Sequence, residues 1–286
     1  MNKKTALIAV PIILFLLASV SFTQQRSSAP LEMKEIAPGL YELLGARGAN
    51  GGVFIGDDGV LVIDAKQDQA SVEATIAAIK KVTDKPIKYL VNTHSDGDHI
   101  AGNRFFPQTV TFIAHENCRK GFFAPGRSGR PSQWISPELA PFVPSITFSD
   151  KLELYLGEKK VELWYFGKGH TTGDCVVYFP EAKTAFLGDQ VFLTRPQLIH
   201  VHKNGNSFAH VKTLTKMLDT LDAEKFCSGH SELANRKAVA RHIAQMQARQ
   251  QKVSELKDQD KSLIAIQKEF TQAESQLVQT IYNELK

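Results

Sequence analysis

Cysteine is scarce: Cys118, Cys175 and Cys227 are the three in 286 residues, and none stands in a CxxC spacing. That excludes a disulfide framework and a thiolate zinc knuckle, and leaves room for one disulfide at most. Charge of one sign is also missing. Lys and Arg number 34 against 30 Asp and Glu, a net +4, which is too weak to point to nucleic acid or an anionic membrane as partner. No repeat of fixed short period and no low-complexity block is present. What is there, 43% hydrophobic and 22% charged residues, is enough to bury a core, most simply in one domain.

The N-terminus carries Lys3 and Lys4, then the uncharged run Ala6–Phe22, small residues at Ser19-Val20-Ser21 and polar Thr23, Gln24 and Gln25. This order reads as a secretory signal peptide over 1–21, cleaved after Ser21, with a linker over 22–34. The expected location is therefore periplasmic or secreted. An uncleaved anchor is the alternative, because the run reaches the length that just spans a ~30 Å hydrocarbon core. No cysteine follows it to carry a lipid.

Short strands are predicted at 40–44, 52–55 and 60–64, with Asp57-Asp58-Gly59 as a hairpin turn. Val72, Ile76, Ile79 and Val82 recur at helical spacing, predicting a helix from Ser71 to Val82 with Ser71 as its cap. Strands follow at 87–91, 110–114, 152–156, 161–166, 175–179 and 184–187. Three helices then close the chain, at 207–221, 236–256 and from Ser262 to the end.

The strand at 87–91 runs into Asn92-Thr93-His94-Ser95-Asp96-Gly97-Asp98-His99, four metal-ligating side chains in six residues. A tight loop can turn such closely spaced groups to one point, as a strand cannot. His170 in Gly169-His170-Thr171-Thr172-Gly173-Asp174, Asp189 in Leu187-Gly188-Asp189, and His230 in Gly229-His230-Ser231 stand in similar settings. One such residue carries little weight; together they form a metal constellation.

In these residues the chain resembles the metallo-β-lactamase superfamily, whose first motif, His-x-His-x-Asp-His, reads here as His94-x-Asp96-x-Asp98-His99. The resemblance covers 35–235 and leaves 236–286 as a helical extension packed on the same domain. It implies an α/β fold, a four-layer αβ/βα sandwich with the metal site at one edge. It also implies that His94, Asp96 and His170 hold one metal, that Asp98, His99 and His230 hold another, and that Asp189 bridges them. Asp96 departs from the motif, which has histidine there; a shorter, harder carboxylate either shifts the first site toward the loop, binds through water, or lowers affinity for zinc relative to iron or manganese. The alternative is that Asp96 is no ligand and faces solvent or a backbone amide. Zinc, as one or two ions, is the expected cofactor. Asp98 is the candidate catalytic residue, orienting the attacking water and passing on its proton.

The expected function is exported metal-dependent hydrolysis of a small ester, lactone, amide or related substrate. The resemblance makes β-lactam hydrolysis possible but not favoured, because Asp189 stands where the family's two-zinc β-lactamases have cysteine or serine, and Gln190-Val191-Phe192 follows it where one subclass has a lysine. Two alternatives stand behind it: a mononuclear iron oxidoreductase resembling the family's sulfur dioxygenases, and a catalytically silent metal-binding module. His115 is expected to be structural. His200, His202, Lys203 and Asn204 read as solvated loop residues, with pocket lining as the alternative. Phe122, Phe123, Trp134 and Phe142 are candidates for an apolar substrate wall.

Overall fold

Strict alternation of apolar and polar residues fails where a strand is covered on both faces, and both sheets of this protein have such strands. The computed structural model describes residues 29–126 and 128–285; the expected leader, 1–21, lies outside them. Seven strands form the first sheet in chain order: β1 (Glu32–Ala37), β2 (Leu40–Leu44), β3 (Gly51–Ile55), β4 (Val60–Ile63), β5 (Ile87–Asn92), β6 (Thr111–His115) and β7 (Ile146–Phe148). The first four are an antiparallel meander, and β4 to β7 run parallel. Six strands form the second: β8 (Lys151–Leu156), β9 (Lys159–Trp164), β10 (Val176–Phe179), β11 (Thr184–Phe186), β12 (Lys225–Ser228) and β13 (Ser231–Asn235), in the order β13-β12-β11-β10-β9-β8. Every residue of β4 and of β10 is buried.

The helices are α1 (Gln69–Lys80), α2 (Gly97–Ile100), α3 (Glu116–Phe123), α4 (Ser207–Thr220), α5 (Arg236–Asp258), α6 (Leu263–Gln267) and α7 (Ser275–Glu284). Three apolar clusters separate four layers. Leu61, Ile63, Val91 and Ile113 meet Leu163, Val177 and Phe186 between the sheets. Val72, Ile79 and Phe122 cover the outer face of the first sheet. Leu214, Met217, Val239, Met246, Val278 and Ile281 cover that of the second. This is the expected four-layer sandwich with C-terminal helices. Among the described residues no helix is long and apolar enough to cross a membrane.

Local chemistry moved several boundaries. α1 starts two residues before the predicted Ser71, because the Asp68 carboxylate accepts the Ser71 N–H and takes the cap. The Ser71 hydroxyl instead accepts the Arg47 N–H. The single helix predicted from Ser262 onward is two. Glu274 accepts from both the backbone N–H and the hydroxyl of Thr271, and this capping box restarts the chain as α7. β1 begins at Glu32, inside the stretch expected to be linker, its charged side chains left outside at the sheet edge.

α4 and α5 bury a histidine pair, His210 and His242, with ring centroids 5.9 Å apart. Burial, with Arg249 acting in the same direction, holds His242 down at about 4. An unfolded chain takes up that proton near the ordinary value of about 6.5, so the stability contributed by neutral His242 is full above that pH and is lost as pH falls toward 4. The stability difference between wild type and His242→Gln, read from urea midpoints, should shrink by ~2 kcal/mol between pH 7.5 and pH 5. A difference that does not change with pH would remove His242 from the acid response.

Candidate metal centre

The parallel strands of the first sheet end at one edge, and β5 delivers the histidine loop there. Its last residue, Asn92, is fully buried and pairs with Asn103 through two amide hydrogen bonds, at 3.0 and 2.8 Å. Next to it Asp64, directly after β4, lies in the left-handed region (φ 59°), which Asp tolerates better than most residues. Its carboxylate accepts the Thr93 N–H at 2.8 Å and the Thr93 hydroxyl at 2.8 Å. The same carboxylate meets His99 Nδ1 at 2.7 Å, which fixes that ring and turns its Nε2 inward. Thr93 Oγ1 lies 3.1 Å from His94 Nδ1, and the Leu198 carbonyl lies 2.8 Å from His170 Nδ1. Each of these three rings thus has its outer nitrogen tied down and its Nε2 aimed at the centre.

Two groups result. His94, Asp96, His170 and Asp189 form one, and Asp98, His99 and His230 the other, with ligating atoms within 4.8 Å of one another in each. Asp189, just past β11, reaches both. Its Oδ1 is 3.1 Å from His99 Nε2, and its Oδ2 is 3.3 Å from His230 Nε2, 3.8 Å from His170 Nε2 and 3.9 Å from His94 Nε2. Asp98 Oδ2 lies 3.0 Å from His230 Nε2. All seven predicted residues are therefore gathered, in the grouping the resemblance implied and with Asp189 between the groups.

A sequence profile of the Metallo-beta-lactamase superfamily matches residues 44–230, which run from the end of β2 to His230. The chain belongs to this superfamily. Among solved structures it resembles the metallo-beta-lactamase from Pontibacter korlensis, with a TM-score of 0.62 and 18% identity over 76% of this chain and 99% of that one. DIM-1 metallo-beta-lactamase is similar at a TM-score of 0.61 and 17% identity, over 77% and 99%. At such identity the likeness is one of fold. The 2,4-dinitroanisole O-demethylase subunit alpha of Nocardioides sp. (strain JS1661) is 27% identical over 139 residues. Those residues make up 48% of this chain and 39% of that protein.

The superfamily's metals fit this donor set. The Nε2 atoms of His94 and His99 and Oδ1 of Asp189 are buried without a hydrogen-bond partner, a costly arrangement that a cation relieves. Without one, protons hold the charges together. Burial alone would raise the Asp96 carboxyl, but the imidazoles of His94, His170 and His200 hold it well below the usual carboxylate range. Burial likewise opposes ionisation of Asp189, and His99 and His230 overcome it. The histidines respond in kind. Against burial, Asp64 and Asp189 raise His99, Asp96 raises His170, and Asp189 and Asp98 bring His230 up to about 9.

The superfamily site opens on two sides. A cavity of about 780 Å³ lies over Asp96 and Asp98, between Phe122 and Trp134 on one wall and His200 and Lys203 on another. A second, of about 720 Å³, lies beside His230, Asn50 and Ser231. Of the four candidate wall aromatics, Phe122 and Trp134 line the larger cavity, whereas Phe142 packs against Phe112 in the core and Phe123 points outward. His115 is structural as expected: it caps α3 and stacks on Tyr165.

The reading of His200 and Lys203 as solvated is corrected. His200 is buried with Nδ1 2.9 Å from Asp96 Oδ2, and Lys203 Nζ is 2.6 Å from Asp96 Oδ1. Their loop is folded back onto the His170 loop through the bond from His200 N–H to the His170 carbonyl, which local sequence does not reveal. Asp64 was missed as well. Its available signal was a lone acid closing the apolar run Val60–Ile63.

Asp64→Asn should leave the fold intact but lower zinc affinity about 10- to 100-fold, measured by chelator competition, because the amide cannot hold the His99 tautomer. Zinc uptake by the metal-free protein at pH 7.5 should release about one proton or more, since His230, raised to about 9, must lose its proton to become a ligand. Titration calorimetry in buffers of different ionisation enthalpy reads this number; zero proton release would contradict the charge state described.

Proposed function

We propose that this protein is an exported metallohydrolase, with zinc as its metal, acting on a small ester, lactone, amide or related substrate. The observation that carries this reading is the convergence of seven ligating side chains, three of their atoms buried without hydrogen bonds, beneath a cavity of about 780 Å³. His94, Asp96 and His170 would hold one ion, Asp98, His99 and His230 a second, and Asp189 both. Divalent metal bound there supplies Lewis acidity and makes water nucleophilic near neutral pH.

The chain's own residues do the rest. The Asp98 and His230 side chains are 30% and 27% exposed, against 10% or less for the other five, so the reacting bond lies over this pair. Burial would raise the Asp98 carboxyl, but His230 and His99 hold it below its ordinary value, which leaves Asp98 Oδ2 ionised to accept a proton and return it to the leaving group. Phe122 and Trp134 form an apolar wall that suits an acyl or aryl group and excludes water from one side. The O-demethylase relative adds aryl methyl ethers to the substrate classes worth testing. Export is supported by the basic start and apolar run of residues 1–25 and is tested by the N-terminal sequence of the secreted fraction, with cleavage expected after Ser21.

Elemental analysis of the purified protein should find about two zinc atoms per chain. A panel of esters, lactones, β-lactams, anilides and 2,4-dinitroanisole should show turnover that chelation abolishes and zinc restores. His170→Ala should lose metal and turnover together. About one iron per chain with oxygen consumption would replace the hydrolase by the oxidoreductase, and metal without any turnover would leave a binding module.

A further inference from the structure

The two oxygens of Asp96 have different surroundings. Oδ2 faces the centre, 3.0 Å from His170 Nε2, 2.9 Å from His200 Nδ1 and 3.5 Å from His94 Nε2. Oδ1 faces away and accepts from Lys203 Nζ at 2.6 Å. The ammonium is itself fixed, donating to the Ser95 carbonyl at 2.8 Å and lying 3.3 Å from Ser95 Oγ. Its backbone is also held: Lys203 N–H donates to the His200 carbonyl at 2.8 Å, and its carbonyl accepts the Thr172 N–H at 3.1 Å. Among the described residues no other lysine or arginine is ion-paired to Asp96, Asp98 or Asp189.

We infer that Lys203 is a positioning residue for the metal centre: it holds Oδ1 of Asp96 so that Asp96 offers a single oxygen, and it cancels the carboxylate's charge. The inference rests on the seven residues holding metal. Two physical consequences follow. A carboxylate bound by an ammonium on one oxygen must weaken that charge-assisted bond to turn and chelate a metal through both, which favours binding through Oδ2 alone. The Asp96–Lys203 pair also carries no net charge, as a neutral imidazole would, so the first group acts with one effective carboxylate, Asp189, in place of two. A lysine cation beside divalent metal without its carboxylate would instead repel it, and at these separations that repulsion is large even with protein screening.

The test is a rescue measured on the full chain, with zinc affinity from competition with a chromophoric chelator and ligand number from the visible absorption of the cobalt-substituted protein. Asp96→Asn should weaken zinc binding about 100-fold or more, because it leaves the Lys203 cation uncompensated. Adding Lys203→Gln to Asp96→Asn should recover about tenfold or more of that loss. Lys203→Gln alone should dim the cobalt bands as the freed Oδ1 adds a bond to the metal, whereas Lys203→Arg should leave them as in wild type. Lys203→Met is the second neutral variant should Lys203→Gln not fold. A double variant no tighter than Asp96→Asn, or cobalt bands unmoved by loss of the lysine, would overturn this role while leaving the metal site standing. A wild type that takes up no metal would overturn both the role and the reading beneath it.

Discussion

Buried charge has to be compensated, and that constraint organises this protein around one sheet edge. Asp96 and Asp189 are each less than a tenth exposed, and His94, His99 and His170 almost wholly buried. Isolated, any one of these charges would be too costly to keep inside. Each is stable where it is because opposite charges and fixed donors come to it from other elements. Asp64 answers His99 from the end of β4, Asp189 answers four imidazoles from the end of β11, and Lys203 answers Asp96 from the loop before α4. The arrangement links elements of both sheets at this edge, Asp64 and His99 from the first and Asp189 from the second.

Close approach is the second requirement, and glycine meets it at two positions. Gly188 adopts φ 54°, and a side chain there would run into Thr93 Oγ1. Gly229, one residue before His230, lies against Asp189 Oδ1 and His99, so that any Cβ would collide with both. Chemistry then falls to the part of the cluster that is least enclosed. Asp98 and His230 are the ligating residues with substantial exposure, Asp98 toward the cavity walled by Phe122 and Trp134 and His230 toward the cavity beside Asn50 and Ser231. The deeply held residues keep the charge pattern rigid, and the open pair can exchange protons with whatever enters.

Legibility followed locality. The motif 94–99 was readable because its ligands are close in sequence on a loop after a strongly apolar strand, and residues 170, 189 and 230 because each stands beside glycine at a strand end. Helices α4 and α5 showed in their apolar spacing. β1 did not, since Glu32, Lys34 and Glu35 obscure any alternation and its backbone pairing with β2 supplies what the pattern lacks. Phe142 and Trp134 look alike in sequence, both aromatics in a Pro-rich stretch, yet one packs into the core and the other walls the cavity.

Taken alone, the sequence determined the ligand inventory, the superfamily resemblance and the layered class of the fold, because these depend on residue identity at short spacing and on periodic burial. The tertiary structure decided which groups face one another across the sheets. That Asp64 orients His99, that Asp189 touches both ligand groups, and that Lys203 reaches Asp96 from 107 positions further along the chain follow from loops folding back on one another. No local pattern encodes a contact between distant loops, since the energy that selects it is shared among charges that meet only once the sheets have packed.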